Sequence, residues 1–264
     1  MGSTPEKPTR AGVSTAALFD LTGKVALVTG GSRGLGREMA LAFAHAGADV
    51  IVASRKPEAC EETAREIESL GRQALAHACH VGDWNAVGEL VEASYRRFGK
   101  VDVLVNNAGM SPLYASLADV SEALWDKVLA VNLKGPFRLS ALIGSRMAAA
   151  GGGSIINVSS IAAMRPSPTE TPYAAAKAGL NALTVAFAHA YGPAVRVNCI
   201  QAGPFLTDIS KAWDMDMATR RFQALLALKR AGNPHEVIGA ALYFASDASS
   251  FTSGAILRVD GGQM

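Results

Sequence analysis

The chain has 264 residues, of which 49% are hydrophobic and 18% charged, with a formal net charge of +2. That supplies a sizeable core in one large domain, and the near-balanced charge offers no general basic surface to nucleic acid or an anionic membrane. No apolar run approaches the ~20 residues of a membrane-spanning helix, so the expected ligand is a small molecule.

Residues 1–18 read as a flexible tail ahead of a single domain over 19–264. Lys7 and Arg10 precede Ala16-Ala17-Leu18-Phe19, an apolar stretch too short for an export signal, and a cytoplasmic location is expected. Cys60, Cys79 and Cys199 are odd in number and lack C-x-x-C spacing, which points to reduced thiols. His77, Cys79 and His80 form the one close His/Cys group, but alternation along a strand sends its members to opposite faces. No metal site is expected.

From Lys24 onward, short β-branched runs alternate with helical segments. Strands are predicted at 25–29, 50–53, 74–81, 101–106, 155–158, 195–200 and 255–259. Several are apolar without alternation, as in parallel strands covered on both faces. The intervening helical stretches end at Gly47, Gly71, Gly99 and the Gly151-Gly152-Gly153 run. Repeated strand–helix–strand order implies right-handed crossovers and an α/β, doubly wound parallel sheet of about seven strands with helices on both faces. The least regular stretch, 203–233, carries Trp213, Met215, Met217 and Phe222. It reads as short helices over a ligand site, with a substrate lid over 205–232.

The first strand runs into Thr29-Gly30-Gly31-Ser32-Arg33-Gly34-Leu35-Gly36 and then a helix. A glycine-rich turn there lets backbone approach a pyrophosphate at the helix N-terminus, the arrangement of a Rossmann-type dinucleotide site. It is not a P-loop, because Arg37 and Glu38 follow Gly36. The second strand ends in Ser54-Arg55-Lys56, where an NAD site usually carries a carboxylate. A guanidinium there binds a 2′-phosphate as a bidentate fork, and Arg33 could reach the same group. NADP(H) is therefore the expected cofactor, with NAD(H) possible.

Tyr173 and Lys177 lie four apart in Tyr173-Ala174-Ala175-Ala176-Lys177, on one helical face. A cation beside a phenol favours the phenolate and lowers its pKa.

These features and four more, in order, resemble the short-chain dehydrogenase/reductase family, in its single-domain branch. The others are Asn106-Asn107-Ala108-Gly109, Asn132 in Val131-Asn132-Leu133, Ser160 in Asn157-Val158-Ser159-Ser160, and Asp260-Gly261-Gly262. The likeness runs from about Leu21 to the C-terminus and extends to 3-oxoacyl reductase-like and gluconate dehydrogenase-like members. It implies hydride transfer between nicotinamide and a carbonyl or secondary alcohol, with Tyr173 as acid–base residue. Ser160, with Ser159 as its rival, would polarise the same oxygen. Lys177 would lower the tyrosine pKa and hold the nicotinamide ribose. Asn132 would sit at a helix irregularity and anchor a water reached by Lys177. Gly30, Ser32, Arg33, Gly34, Leu35, Gly36, Ser54, Arg55, Lys56, His80, Val81, Asn107, Ala108, Gly109, Tyr173, Lys177, Gly203 and Thr207 would line the cofactor. His80 stands where the family often has an adenine-contacting aspartate before Val81, and Asp83 is the nearest carboxylate. The usual Pro-Gly is Ala202-Gly203, followed by Pro204, with Thr207 kept for the carboxamide.

Substrate walls are expected at Met110, Ser111, Leu113, the 161–171 segment and the lid, including Phe205 and Trp213, with Arg165 and Glu170 as polar anchors. The mainly apolar lining suits a medium-sized ketone or a 3-oxoacyl thioester. For a thioester, Arg220, Arg221, Lys229 and Arg230 could meet an acidic carrier. A non-catalytic NADP-binding sensor is the rival from another class, although such relatives typically lose the tyrosine or lysine. The family also implies a homotetramer or dimer through the helices around 121–149 and 172–191.

Overall fold

The computed structural model describes residues 14–208, 210 and 214–263. Residues 1–13 of the expected tail and Trp213 lie outside this set; Thr15–Leu18 forms one helical turn, α1. Seven strands follow: β1 Val25–Thr29, β2 Asp49–Ser54, β3 Ala74–Ala78, β4 Val103–Asn106, β5 Gly153–Ser160, β6 Val195–Ala202 and β7 Ile256–Val259. They pair in the order β3-β2-β1-β4-β5-β6-β7, all parallel.

Burial on both faces explains the uninterrupted apolar strands. On one face, α2 (Gly34–His45) and α9 (Ile238–Ala245) pack Met39, Phe43 and Phe244 against Val28, Val50 and Ile200. On the other, α4 (Trp84–Phe98), α6 (Gly135–Ala149) and α7 (Thr171–Tyr191) bring Leu90, Leu139, Ile143 and Phe187 onto Leu27, Leu104 and Ile155. The helix α3 (Pro57–Ser69) covers β2 and β3, burying Cys60 and Ile67. The chain runs outward from β1 to β3 and returns to β4, which opens a crevice between the carboxyl ends of β1 and β4.

β3, β4, β5 and β6 differ from expectation by two residues or more, β2 by a single residue at each end and β7 by a single residue at its start. β3 stops at Ala78, because His80 starts a tight turn in which Asp83 N donates to His80 O at 2.8 Å. β4 starts at Val103, because the Asp102 carboxylate takes the Val25 N–H at 2.8 Å. β5 and β6 run longer, to Ser160 and Ala202. In β5 the buried Asn157 is paired inside the protein: its Nδ2 donates to Thr184 Oγ1 at 2.9 Å and its Oδ1 accepts from Asn106 Nδ2 at 2.9 Å. The long pairing sets Ser160 level with Ala202 at the cleft.

The predicted 121–149 helix is interrupted. α5 (Glu122–Leu129) passes through a π turn at Ala130–Lys134 before α6 begins. In the 205–232 stretch expected to act as a lid, α8 (Met215–Leu225) buries no residue. Among the described residues no helix is long and apolar enough to cross a membrane, and no three metal-ligating side chains converge.

Candidate active site

At the end of β1 the chain turns sharply into α2. A Cβ at Gly36 would overlap the Gly30 carbonyl and the Asn107 amide, so only glycine lets the loop close. The Thr29 hydroxyl locks this corner: it donates to Val105 O at 3.0 Å and accepts from Asn107 N at 3.0 Å and Ala108 N at 3.1 Å. Asn107 Nδ2 donates to Thr29 O at 2.9 Å. Its side chain thus braces the loop, a role the sequence did not reveal.

The α2 N-terminus has no side-chain cap, whereas α4 is capped by Asp83 through Asn85 N and Ala86 N. Uncapped first-turn N–H groups beside a glycine cradle fit a pyrophosphate. Capping also accounts for Asp83, which does not substitute for the family's aspartate. His80 accepts the Gly82 N–H on Nδ1 at 3.2 Å, and Val81 beside it is buried. Arg55 and Lys56 are exposed and join none of the ion pairs found among the described residues. Arg33 leans instead toward the lid, 3.5 Å from Asp208. Ser32 and Ser54 share a 2.8 Å hydrogen bond, and the buried Cys60 thiol lies 3.2 Å from the Ser54 hydroxyl. A Cβ on Gly34 would come within 3.5 Å of Thr207, which therefore sits over the glycine loop. Gly203 packs so closely on Asp260 that a Cβ would fall 2.5 Å from its Cα, and Gly203 N donates to Val259 O at 2.9 Å. The Ala202-Gly203-Pro204 departure is thus accommodated by backbone contact with the end of β7.

Across the crevice, strand alternation separates the two serines. Ser159 donates to Lys177 O at 3.1 Å, facing α7. Ser160 ends β5, accepts the Ala162 N–H at 3.1 Å and hydrogen-bonds Tyr173. Lys177 is buried, donates to Val158 O at 2.8 Å, and stands 5.6 Å from the Tyr173 ring centroid. Burial pulls the Lys177 ammonium down to about 8. Burial also pushes the Tyr173 phenol up to about 12; the Ser160 bond opposes this and the Glu170 carboxylate adds to it. Lys177 Nζ is turned to the Val158 carbonyl, so in this arrangement desolvation is the largest influence on the phenol.

Asn132 falls in the π turn and is fully buried. Its Nδ2 donates to Met110 O and Val128 O, both at 2.9 Å, and its Oδ1 accepts Met110 N at 3.2 Å. Both amide hydrogens are spent, so the side chain chiefly ties the post-β4 loop to the helix. One Oδ1 lone pair remains for a water. Gly109 lies between Asn132 Oδ1 and Lys177 Nζ: a Cβ there would be 3.0 and 3.6 Å from them.

Among the substrate residues, Ser111 and Met110 line the loop after β4, Met110 partly packed into the core. Arg165 is exposed in its loop. Phe205 is a correction: it is 7% exposed, belongs to the core cluster with Val237 and Phe244, and packs its ring on Gly232. Burying that ring is worth more than exposing it to a ligand. Both ends of the lid are tied together, Leu206 N to Gly232 O at 2.8 Å and Gly232 N to Pro204 O at 2.9 Å. One wall residue escaped the sequence reading. Tyr114 hydroxyl donates to Pro168 O at 2.6 Å and accepts Thr171 N–H at 2.8 Å. Nothing local marks it, since its partners lie 54 and 57 residues away.

Residues 30–264 match the family model described as enoyl-(acyl carrier protein) reductase. The chain belongs to the short-chain dehydrogenase/reductase family. It is 40% identical over 251 residues to 2-dehydro-3-deoxy-D-gluconate 5-dehydrogenase of Pseudoalteromonas atlantica, covering 93% of this chain and 98% of that one. A 7α-hydroxysteroid dehydrogenase solved with NADH and 7-oxo glycochenodeoxycholic acid superposes with a TM-score of 0.91 at 34% identity, covering 96% and 98% of the chains. A putative NAD(P)-dependent gluconate 5-dehydrogenase from Beutenbergia cavernae, solved with bound NADP, gives 0.87 at 34% identity over 92% and 98%. As a member of this family the protein is an oxidoreductase acting on CH–OH or C=O groups, built on a Rossmann-type nucleotide-binding sheet.

Proposed function

We propose that the protein is an NADP(H)-dependent dehydrogenase/reductase in which Tyr173 exchanges a proton with the oxygen of a ketone or secondary alcohol. The observation that carries this reading is the meeting of Tyr173, Ser160 and Lys177 beside an uncapped, glycine-cradled helix N-terminus. When bound, the nicotinamide nucleotide supplies or accepts the hydride. The residues that would hold it are the first-turn amides of α2, Ser32, Ser54, Arg55 and Lys56, with Thr207 over the loop. Ser160 orients the substrate oxygen and Tyr173 protonates it in reduction. The high pKa of the phenol keeps its proton in place at neutral pH until a basic oxygen arrives. Lys177, already inclined to lose its proton, takes up the exchange from behind, with the free Oδ1 lone pair of Asn132 to seat a water.

The preference for NADP(H) is supported by the unpaired cations after β2, with NAD(H) as the weaker alternative. The substrate is read as a medium-sized, largely apolar ketone. A carrier-delivered 3-oxoacyl group is less favoured, because Arg230 is engaged by Glu236 at 2.6 and 2.7 Å and Arg221 faces Glu170. Exposed Trp125, Phe137 and Val185 on α5, α6 and α7 support a homo-oligomer, and light scattering at micromolar concentration checks it. Three buried free thiols support a reducing, cytoplasmic setting.

The test follows NADPH and NADH oxidation against an α-diketone, a quinone, 5-ketogluconate and acetoacetyl-coenzyme A, for wild type and Tyr173→Phe. The variant is expected to lose on the order of 10³ in kcat; an equally fast variant refutes the role of Tyr173, and a preference for NADH refutes that of Arg55.

A further inference from the structure

The first turn of α7 has an unusual support. Glu170 at its N-cap makes no side-chain cap bond, and Pro172 contributes no N–H. The orphan N–H of Thr171 is taken instead by the Tyr114 hydroxyl at 2.8 Å. The same hydroxyl donates to Pro168 O at 2.6 Å, in the turn that leads into the helix. Tyr114 is itself on a strap: four residues earlier, both polar backbone atoms of Met110 are bonded to Asn132 in the π turn. Lys177, one turn further along α7, is anchored separately through Val158 O and Ser159. Tyr173 therefore stands between an end held from within the sheet and an end whose long-range hydrogen bonds come from the Tyr114 phenol, beside the local bonds of the Thr171 hydroxyl to Ser167 O and Pro168 O.

We propose that Tyr114 is a positioning residue for the reaction: its hydroxyl fixes the first turn of α7, and with it Tyr173 and the Glu170 wall, against the loop that leaves β4. The inference rests on the reading of Tyr173 given above. It follows from the steepness of rate with geometry, since a displacement near 1 Å costs up to about 100-fold. The Tyr114 hydroxyl supplies the long-range hydrogen bonds that tie this end of α7 to another loop.

The test is Tyr114→Phe, which keeps the ring and removes only the hydroxyl, assayed with whichever of the four carbonyl compounds above the wild type reduces fastest. The expected result is a fall in kcat of about tenfold, with the NADPH Kd within about twofold of wild type and a melting temperature nearly unchanged. The pH limb belonging to Tyr173 should move downward, because a loosened first turn admits water to a phenol that burial holds high. Wild-type rates and an unmoved limb in Tyr114→Phe, alongside an inactive Tyr173→Phe, overturn this inference alone. An active Tyr173→Phe overturns both readings. Weakened NADPH binding in step with kcat shows a general loss of structure and also overturns it. A measurement on unaltered protein stands beside these: the Thr171 amide should exchange slowly with deuterium, and exchange at the rate of an open loop amide refutes the bond.

Discussion

The nucleotide end of the cleft and its substrate end are held by different means. At the nucleotide end, the Thr29 hydroxyl closes on the backbone of Val105, Asn107 and Ala108, and Gly36 passes where no Cβ fits. At the expected substrate end, α8 buries nothing, Met215 and Met217 are exposed, and the 205–232 stretch is tied between Phe205 and Gly232 and between Leu226 and Gln263. A dinucleotide presents the same pyrophosphate to every relative, so a rigid, pre-organised cradle serves all of them. A segment with few buried contacts can change sequence and shape at little cost to the core, and this is where relatives with different substrates can diverge.

The contrast predicts a graded response to substitution. The largest effect is expected of Gly36→Val: the added branches have no space, and NADPH affinity should drop by more than about 100-fold, or the domain should fail to fold. Calorimetric titration with circular dichroism as a folding control checks this. Retained affinity would mean that the cradle is as adaptable as the lid.

Next comes Arg55→Ala. Losing one charge-assisted fork should raise the KM for NADPH about tenfold or more while leaving that for NADH within about twofold. Equal changes for both cofactors would assign Arg55 to the general surface.

The smallest effect concerns stability. Burial lowers the Lys177 pKa in the folded state from its usual 10.5 to about 8. Between those values the unfolded chain binds more protons, so the Lys177 contribution to stability rises with pH across that window. Buried Cys79 and Cys199, pushed up to about 11, work in the opposite direction above their ordinary value of 9. The informative quantity is therefore the melting temperature of wild type minus that of Lys177→Met, which should increase from pH 8 toward 10. A flat difference would show that the ammonium is not strained by its surroundings.

Much of this arrangement could be read from the chain alone. Continuous apolar runs with glycine-terminated helices between them determined a parallel α/β sheet, because strands covered on both faces cannot alternate. The Gly30–Gly36 spacing determined the nucleotide cradle, and the spacing of Tyr173 and Lys177 put them on one face of α7. These are signals carried by near neighbours along the chain. What only the tertiary structure decided depends on residues that meet across the sheet. It turned Ser159 to the helix backbone and left Ser160 at Tyr173, by extending β5 to its last polar residue. It moved Phe205 from the expected pocket into the core, and it spent the Asn132 amide on Met110. It made burial, and not the nearby ammonium, the main influence on Tyr173. It also brought Tyr114 onto the head of α7, a contact between loops 57 residues apart that leaves no periodicity in the sequence. Desolvation and long-range hydrogen bonding are properties of the packed molecule, so they appear only once the sheet has assembled around the site.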